Sequence, residues 1–301
     1  MNADRLLDLV TRSYKATPDQ EASFPVRGSA MGACPRTISM LLAGMEKREF
    51  SAKTRRIFED GHARGAALGA HIAAQWCVDH GNPNLSQLEK EVWTELPVKD
   101  EAKVMLESQA WCDENAAEIS LRIGKFSLEV RSRCDVVLFE DMKNALDMTE
   151  KPRVHLVEIK GKGSWGMKKL PEEGPGDEYL VQIWFQIEGL RAMGAIVESA
   201  HFLFENKDTQ EWLPWEIDLS AGPPAAYHAA KVHIGSVLDN FATEKRSAEA
   251  GTPIHAFGVT GRLPWQCNYC SIGPDRGNCS PGRTLTDKRK AGASVPAWEA
   301  T

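Results

Sequence analysis

Residues 154–160 read VHLVEIK, a run with the alternation of a half-buried strand. Alternation along a strand puts Val157 and Ile159 on one face and Glu158 and Lys160 on the other. A carboxylate and an ammonium thus project together from a strand whose opposite face is apolar. The run before it, GKFSLEVRSRCDVVLF (124–139), is also β-like and carries Asp135. The linking EDMKNALDMTEKPR (140–153) is polar enough to be a surface connection, so the two runs can pair and bring Asp135 beside Glu158. Asp, Glu and Lys then meet at one end of a sheet.

Downstream, EYLVQIWFQIEGLRAMG (178–194) places Leu180, Ile183, Trp184, Ile187 and Leu190 at helical spacing. AHFLFENKD (200–208) and EWLPWEIDL (211–219) read as two further strands, and 225–244 as a helix. Upstream, 37–78 is helical in character, with Gly61, Gly65 and Gly69 at four-residue spacing that permits close packing, and 99–119 reads as another helix. The order predicts an α/β or α+β fold with one central sheet, neither a repeat protein nor a bundle.

At 301 residues and 42% hydrophobic content the chain can build a packed core and is not disordered. No run of eighteen apolar residues occurs, and MNADRLLDLV lacks the basic and apolar regions of a secretory signal, so a soluble protein of the reducing cytoplasm is expected, without membrane association. A net charge of −6 means that any nucleic-acid contact must come from a local basic patch. One exists: from Ile159 to Pro171 four lysines (Lys160, Lys162, Lys168, Lys169) occur without an acid, interleaved with glycines and Trp165. Such a segment can contact phosphates and stack a base on the indole; the alternative is a flexible solvated loop. Arg36, Lys207 and the basic residues from Arg276 to Lys290 can extend the track.

Two carboxylates and a backbone carbonyl suit a hard divalent cation such as Mg²⁺ or Mn²⁺. A lysine two residues along can orient or activate water and offset charge building on a phosphate. An E-x-K triplet by itself also fits an ordinary surface salt bridge between strand neighbours.

The arrangement resembles the PD-(D/E)xK nucleases of the RecB-like branch, which includes the exonucleases of CRISPR adaptation. Their order is an Asp ending one strand, E-x-K in the next, then a helix with Q-x-x-x-Y, here matched by Asp135, Glu158, Lys160 and Gln182. The resemblance spans about 34–280 and implies a restriction-endonuclease-like mixed central sheet flanked by helices. It also implies metal-dependent hydrolysis of DNA phosphodiesters in processing, recombination or repair, in a prokaryotic or virus-infected prokaryotic cell. Asp135, Glu158 and the Ile159 carbonyl would hold the metal, Lys160 would assist the water, and Gln182 would position the substrate or the lysine. Three positions depart from the pattern. The helix Tyr is replaced by Gln186, with Tyr179 one turn before Gln182, and either could contact DNA. Ser132 stands where a Gly often precedes the Asp. The family's helix His corresponds to Gly65; His62, three residues earlier, is the preferred substitute ligand, while His71 points elsewhere and Glu59 and Asp60 are further candidates.

Seven cysteines cannot pair completely, and clustered thiols in a reducing compartment suggest metal. Cys267, Cys270 and Cys279 form C-x2-C-x8-C in a Gly/Pro-rich region, and Cys34 stands alone near the N-terminus. Zinc or plain burial would explain these thiols too. The same RecB-like subgroup is similar in layout, with one Cys before the nuclease core and three after it holding a 4Fe-4S cluster. Cys77, Cys112 and Cys134 read as core residues, with Cys134 pointing away from the face of Asp135.

The expected organisation is one nuclease domain over 1–280, helical at 35–120, a catalytic sheet core at 121–220, and a helix and cysteine region at 221–280, with 281–301 as a tail. The expected function is a DNA exonuclease acting on single strands. The alternative is a catalytically weakened DNA-binding protein or CRISPR-adaptation subunit with a structural cluster.

Overall fold

The computed structural model describes residues 28–32, 34–42, 52–79, 110–111, 118–125, 128–140 and 151–248. Their elements are helices α1 (Pro35–Leu42) and α2 (Ala52–Asp79), strands β1 (Ala110–Trp111), β2 (Glu118–Ile123), β3 (Leu128–Arg133), β4 (Val136–Phe139) and β5 (Arg153–Lys162), then α3 (Ser164–Glu173) and α4 (Asp177–Ala192), β6 (Ile196–Asn206), β7 (Trp212–Glu216) and α5 (Ala225–Ala248). The fold is α+β. Five strands form a mixed sheet in the order β1-β4-β5-β6-β7, and β2 and β3 form a separate two-stranded sheet. In the five-stranded sheet β5 and β6 are parallel and the other neighbouring strands are antiparallel.

One expectation changes. Where a helix was expected over 99–119, the described residues are strand: Ala110 and Trp111 pair with Leu138 and Val137, and β2 begins at Glu118. Edge pairing to β4 satisfies backbone groups that local propensity would have sent into a helix. The lysine-rich segment after β5, for which a flexible solvated loop was the alternative, forms the helix α3. Its start is fixed from outside, since Asp208 in the β6–β7 turn accepts hydrogen bonds from the Ser164 amide (2.7 Å) and hydroxyl (2.6 Å). Those bonds hold the exposed Asp208 carboxyl below the usual range. Its end is fixed by Gly174, whose φ of 69° suits a residue without Cβ and whose amide donates to the Leu170 carbonyl at 2.9 Å.

By contact density the chain divides into two compact units. The unit made of 1–55, 122–130 and 225–301 contains α1 packed on α5. Within it, Gly124 (φ 85°) lies so close to Gly235 and Asp239 that a side chain there would collide, and the Lys125 amide donates to Asp239 Oδ2 at 2.7 Å. Cys34 is buried in this unit.

The unit made of 56–121 and 131–224 contains the five-stranded sheet. One face of the sheet packs Val136, Leu138 and Ile159 against α2 through Ala73, Leu68, Ile72 and Trp76. Gly69 brings α2 closest, because a Cβ there would stand 3.2 Å from Val136 Cγ2. The other face, with buried Leu156, Phe202 and Phe204, meets α4, whose residues 181–187 are buried without a gap. A helix buried that completely has no polar side to spare for Gln182 and Gln186, so both amides must find partners inside. Among the described residues no helix is long and apolar enough to cross a membrane.

Candidate active site

Strand register makes the site. Val136 is opposite Val157, so Asp135, in the bend just before β4, falls beside Glu158 and Ile159. The Ile159 amide donates to Asp135 Oδ2 at 2.8 Å, joining the bend to β5 where the ladder has ended. Glu158 and Lys160 share the face turned to α4, and Ile159 lies in the opposite core, as alternation requires.

Glu158 is wholly inaccessible to solvent, at 0% exposure. An isolated carboxylate would lose several kcal/mol of hydration there, so its burial depends on its hydrogen-bond donors. Lys160 Nζ donates to Oε1 at 2.5 Å, Gln182 Nε2 donates to the same oxygen, and Gln186 Nε2 donates to Oε2 at 2.9 Å. The E-x-K triplet is therefore built on a buried carboxylate with three side-chain donors, not on a surface ion pair. Burial works to lower the Lys160 pKa, but Glu158 and then Asp135 outweigh it and hold the ammonium above the ordinary lysine value.

Gln186 is buried at 0% exposure and bonds Glu158 and the Arg133 carbonyl (2.9 Å), so it does not meet DNA as a side chain at that position was expected to. Tyr179, three residues before Gln182, is only partly buried and holds the outer position on the same helix face. Its ring packs on Phe202 and Phe204 and lies under two ammonium groups, Lys162 Nζ at 4.7 Å and Lys160 Nζ at 5.8 Å from the centroid. Burial, and then Glu178, push the Tyr179 phenol up, so it stays protonated and can donate to a phosphate. Burial against these rings lowers the Lys162 pKa, with Glu178 opposing.

Trp165 stands on α3 with 74% of its surface exposed. Lys169 Nζ lies 4.5 Å from the indole centroid and pairs with Glu173 at 2.6 Å, while Lys168 lies on the same helix. His62 is exposed on α2, and it is not gathered with Asp135 and Glu158: among the described residues no three His, Cys, Asp or Glu side chains converge as a metal site. The donors at hand are thus two carboxylates and backbone oxygen. That set fits a hard cation such as Mg²⁺, which binds through one or two carboxylates and keeps water or phosphate as its other ligands.

Cys134 is a buried free thiol, as expected of a core residue. Burial, then Glu158 and Asp135, push its pKa well up, so the thiol stays protonated. Of the proposed cluster ligands only Cys34 can be described; Cys267, Cys270 and Cys279, like Cys112 and the side chain of Cys77, lie outside the described residues.

No protein-family model matches the chain, and no curated protein matches it. Among solved structures, the crystal structure of SSO0001 is similar at 14% identity and a TM-score of 0.36, covering 89% of this chain and 92% of that one. The crystal structure of LHK-Exo in complex with dAMP is similar at 15% identity and a TM-score of 0.30, covering 50% of this chain and 67% of that one. Likenesses this distant leave the chemistry to be read from the residues themselves.

Proposed function

We propose that this protein is a metal-dependent deoxyribonuclease of the PD-(D/E)xK type, RecB-like branch, that hydrolyses phosphodiester bonds and acts as an exonuclease on single-stranded DNA. The observation that carries this reading is the complete burial of Glu158 among Lys160, Gln182 and Gln186, with Asp135 tied to the next residue of the strand. Structural salt bridges are seldom built at such a desolvation cost, whereas a site that must hold charge in fixed geometry requires it.

Asp135, Glu158 and the Ile159 carbonyl would hold Mg²⁺ or Mn²⁺, which supplies Lewis acidity at the phosphate and a more acidic attacking water. The chain's own groups do the remainder. Lys160, held as an ammonium, stabilises the added negative charge on the phosphoryl oxygens as the water attacks and the P–O bond breaks. Gln182 fixes Glu158 and keeps the lysine's partner oxygen in place. Tyr179 and Lys162 meet the backbone of the substrate, and Trp165, Lys168 and Lys169 carry it outward along α3. In the same proposal Cys34, Cys267, Cys270 and Cys279 hold a 4Fe-4S cluster that staples segments more than 200 residues apart.

The deciding experiment is cleavage of 5′- and 3′-labelled single- and double-stranded DNA with Mn²⁺ by wild type, Asp135→Ala and Lys160→Ala. Wild-type cleavage lost in both variants supports the site, and cleavage retained in both refutes it. For the cluster, anaerobically purified protein should be brown with broad absorption near ~400 nm, as iron–thiolate ligation gives. Colourless protein carrying one zinc would end that part of the proposal.

A second reading, a DNA-binding protein or complex subunit that no longer cleaves, is favoured by one observation. Three protein donors already occupy Glu158, and no third side-chain ligand joins it among the described residues. DNA binding without cleavage under any divalent metal would establish it.

A further inference from the structure

We infer that Gln186 is a positioning residue that sets the separation of the two carboxylates, an inference that rests on the nuclease reading of the site. Asp135 belongs to a bend outside the β4–β5 ladder, which begins only at Val136 and Val157. Backbone pairing therefore brings it beside Glu158 without holding the bend itself. Two cross-links act on the bend and its carboxylate. The Ile159 amide holds Asp135 Oδ2 at 2.8 Å, and Gln186 Nε2 bonds the Arg133 carbonyl and Glu158 Oε2, each at 2.9 Å. With the short chain segments 133–135 and 158–159 these bonds close a ring through both carboxylates.

Both neighbours of the Gln186 amide are acceptors, so its nitrogen must face them, and Nε2 has two hydrogens, one for each. Oε1 is left buried without a hydrogen-bond partner. An orphaned buried oxygen costs stability, so the amide is kept for its two donors rather than for a balanced set of bonds. No residue with a single side-chain donor hydrogen could hold the bend and Glu158 at once from this position.

Gln186→Met keeps the length and removes the donors; Gln186→Glu keeps the shape and removes them when ionised. On single-stranded DNA with Mn²⁺, Gln186→Met should lower kcat roughly 10–100-fold, the usual loss when a group orienting a ligand is removed, and leave KM nearly unchanged. Metal-free affinity for the same DNA, read by fluorescence anisotropy, should equal wild type, because Gln186 touches no solvent. Mn²⁺ affinity by calorimetry should fall with kcat. Ile183→Val, on the same helix and buried but outside the ring, controls for stability loss and should keep wild-type kcat. Weakened metal-free DNA binding in Gln186→Met would make the residue a DNA contact and overturn the inference, as would an unchanged kcat. Wild type that cleaves nothing would instead remove the nuclease reading, and this role with it.

Discussion

Lys160 Nζ donates to Glu158 Oε1 at 2.5 Å from two residues along the same strand, with the glutamate sealed from solvent and the lysine still partly exposed. The carboxylate thus has one charged partner that reaches outward and two amide partners that do not. Lys160→Met should leave the buried Glu158 carboxylate without its charged partner and lower the unfolding free energy by about 3 kcal/mol at pH 7, measured in urea. The pH dependence gives the sign independently. The folded pKa of Lys160 is raised above the ordinary 10.5, so its stabilisation is complete below that value and is lost as pH rises through the folded pKa. The stability gap between wild type and Lys160→Met should therefore narrow above pH ~10.5. A gap that stays constant into strong alkali would refute the assigned ion pair.

Lys162 is the opposite case on the same strand. Burial on Tyr179 and Phe204 holds its pKa below 10.5, so the folded state disfavours its charge at neutral pH. That penalty is relieved as pH climbs from the folded value to 10.5. Lys162→Met should then melt higher than wild type at pH 7, with the advantage vanishing by pH ~10.5. The same variant should bind single-stranded DNA more weakly, with a salt slope smaller by about 0.7, the contribution of one phosphate contact. Equal melting temperatures together with an unchanged slope would show that Lys162 is only a strand residue.

The site was partly legible in the sequence because strands alternate strictly. Glu158 with Lys160, and Ile159 in the opposite core, follow from period two alone, and helical spacing put Tyr179, Gln182 and Gln186 on one face. Burial was the part that spacing did not give. Gln186 looked like an outer residue because Tyr commonly stands there, and only the depth of α4 in the fold shows the amide to be sealed in. Likewise α3 was hidden by its Lys, Gly and Pro content, since its first turn is capped from Asp208, more than 40 residues away. The strands at Ala110–Trp111 and Glu118–Ile123 depend on tertiary pairing that a local helical pattern does not reveal.

Glycines of α2 test the packing directly. Gly65 has open space where a Cβ would go, and at Gly61 the nearest atom, Lys207 Nζ, is at an ordinary 3.7 Å. Alanine at either position should raise stability by up to about 1 kcal/mol through helix propensity. At Gly69 the new methyl would stand 3.2 Å from Val136 Cγ2 and 3.7 Å from Ile159 Cδ1, in the core beneath the site. Overpacking of about 1–3 kcal/mol should cancel or exceed the propensity gain there. Thermal melts of the three single variants would show the order, and Gly69→Ala as the most stable would contradict the close helix–sheet approach.

Trp165 offers a test of substrate form that leaves the metal aside. Its indole is 74% exposed on α3, so it contributes little to the core, and Lys169 Nζ lies 4.5 Å from its ring centroid. A base can stack on an exposed indole only if it is unpaired, so under the proposed function this residue would select for single strands. Each stacked base typically contributes about 1–3 kcal/mol, so Trp165→Ala should weaken metal-free single-strand binding roughly 5- to 150-fold. Trp165→Phe should retain a larger part, because a smaller ring still stacks. Duplex binding, which depends on phosphate contacts, should change far less, and the melting temperature should hardly move. Equal losses on single- and double-stranded DNA would mean that the indole shapes α3 rather than reading an unpaired base, and no loss on either would remove it from the DNA path.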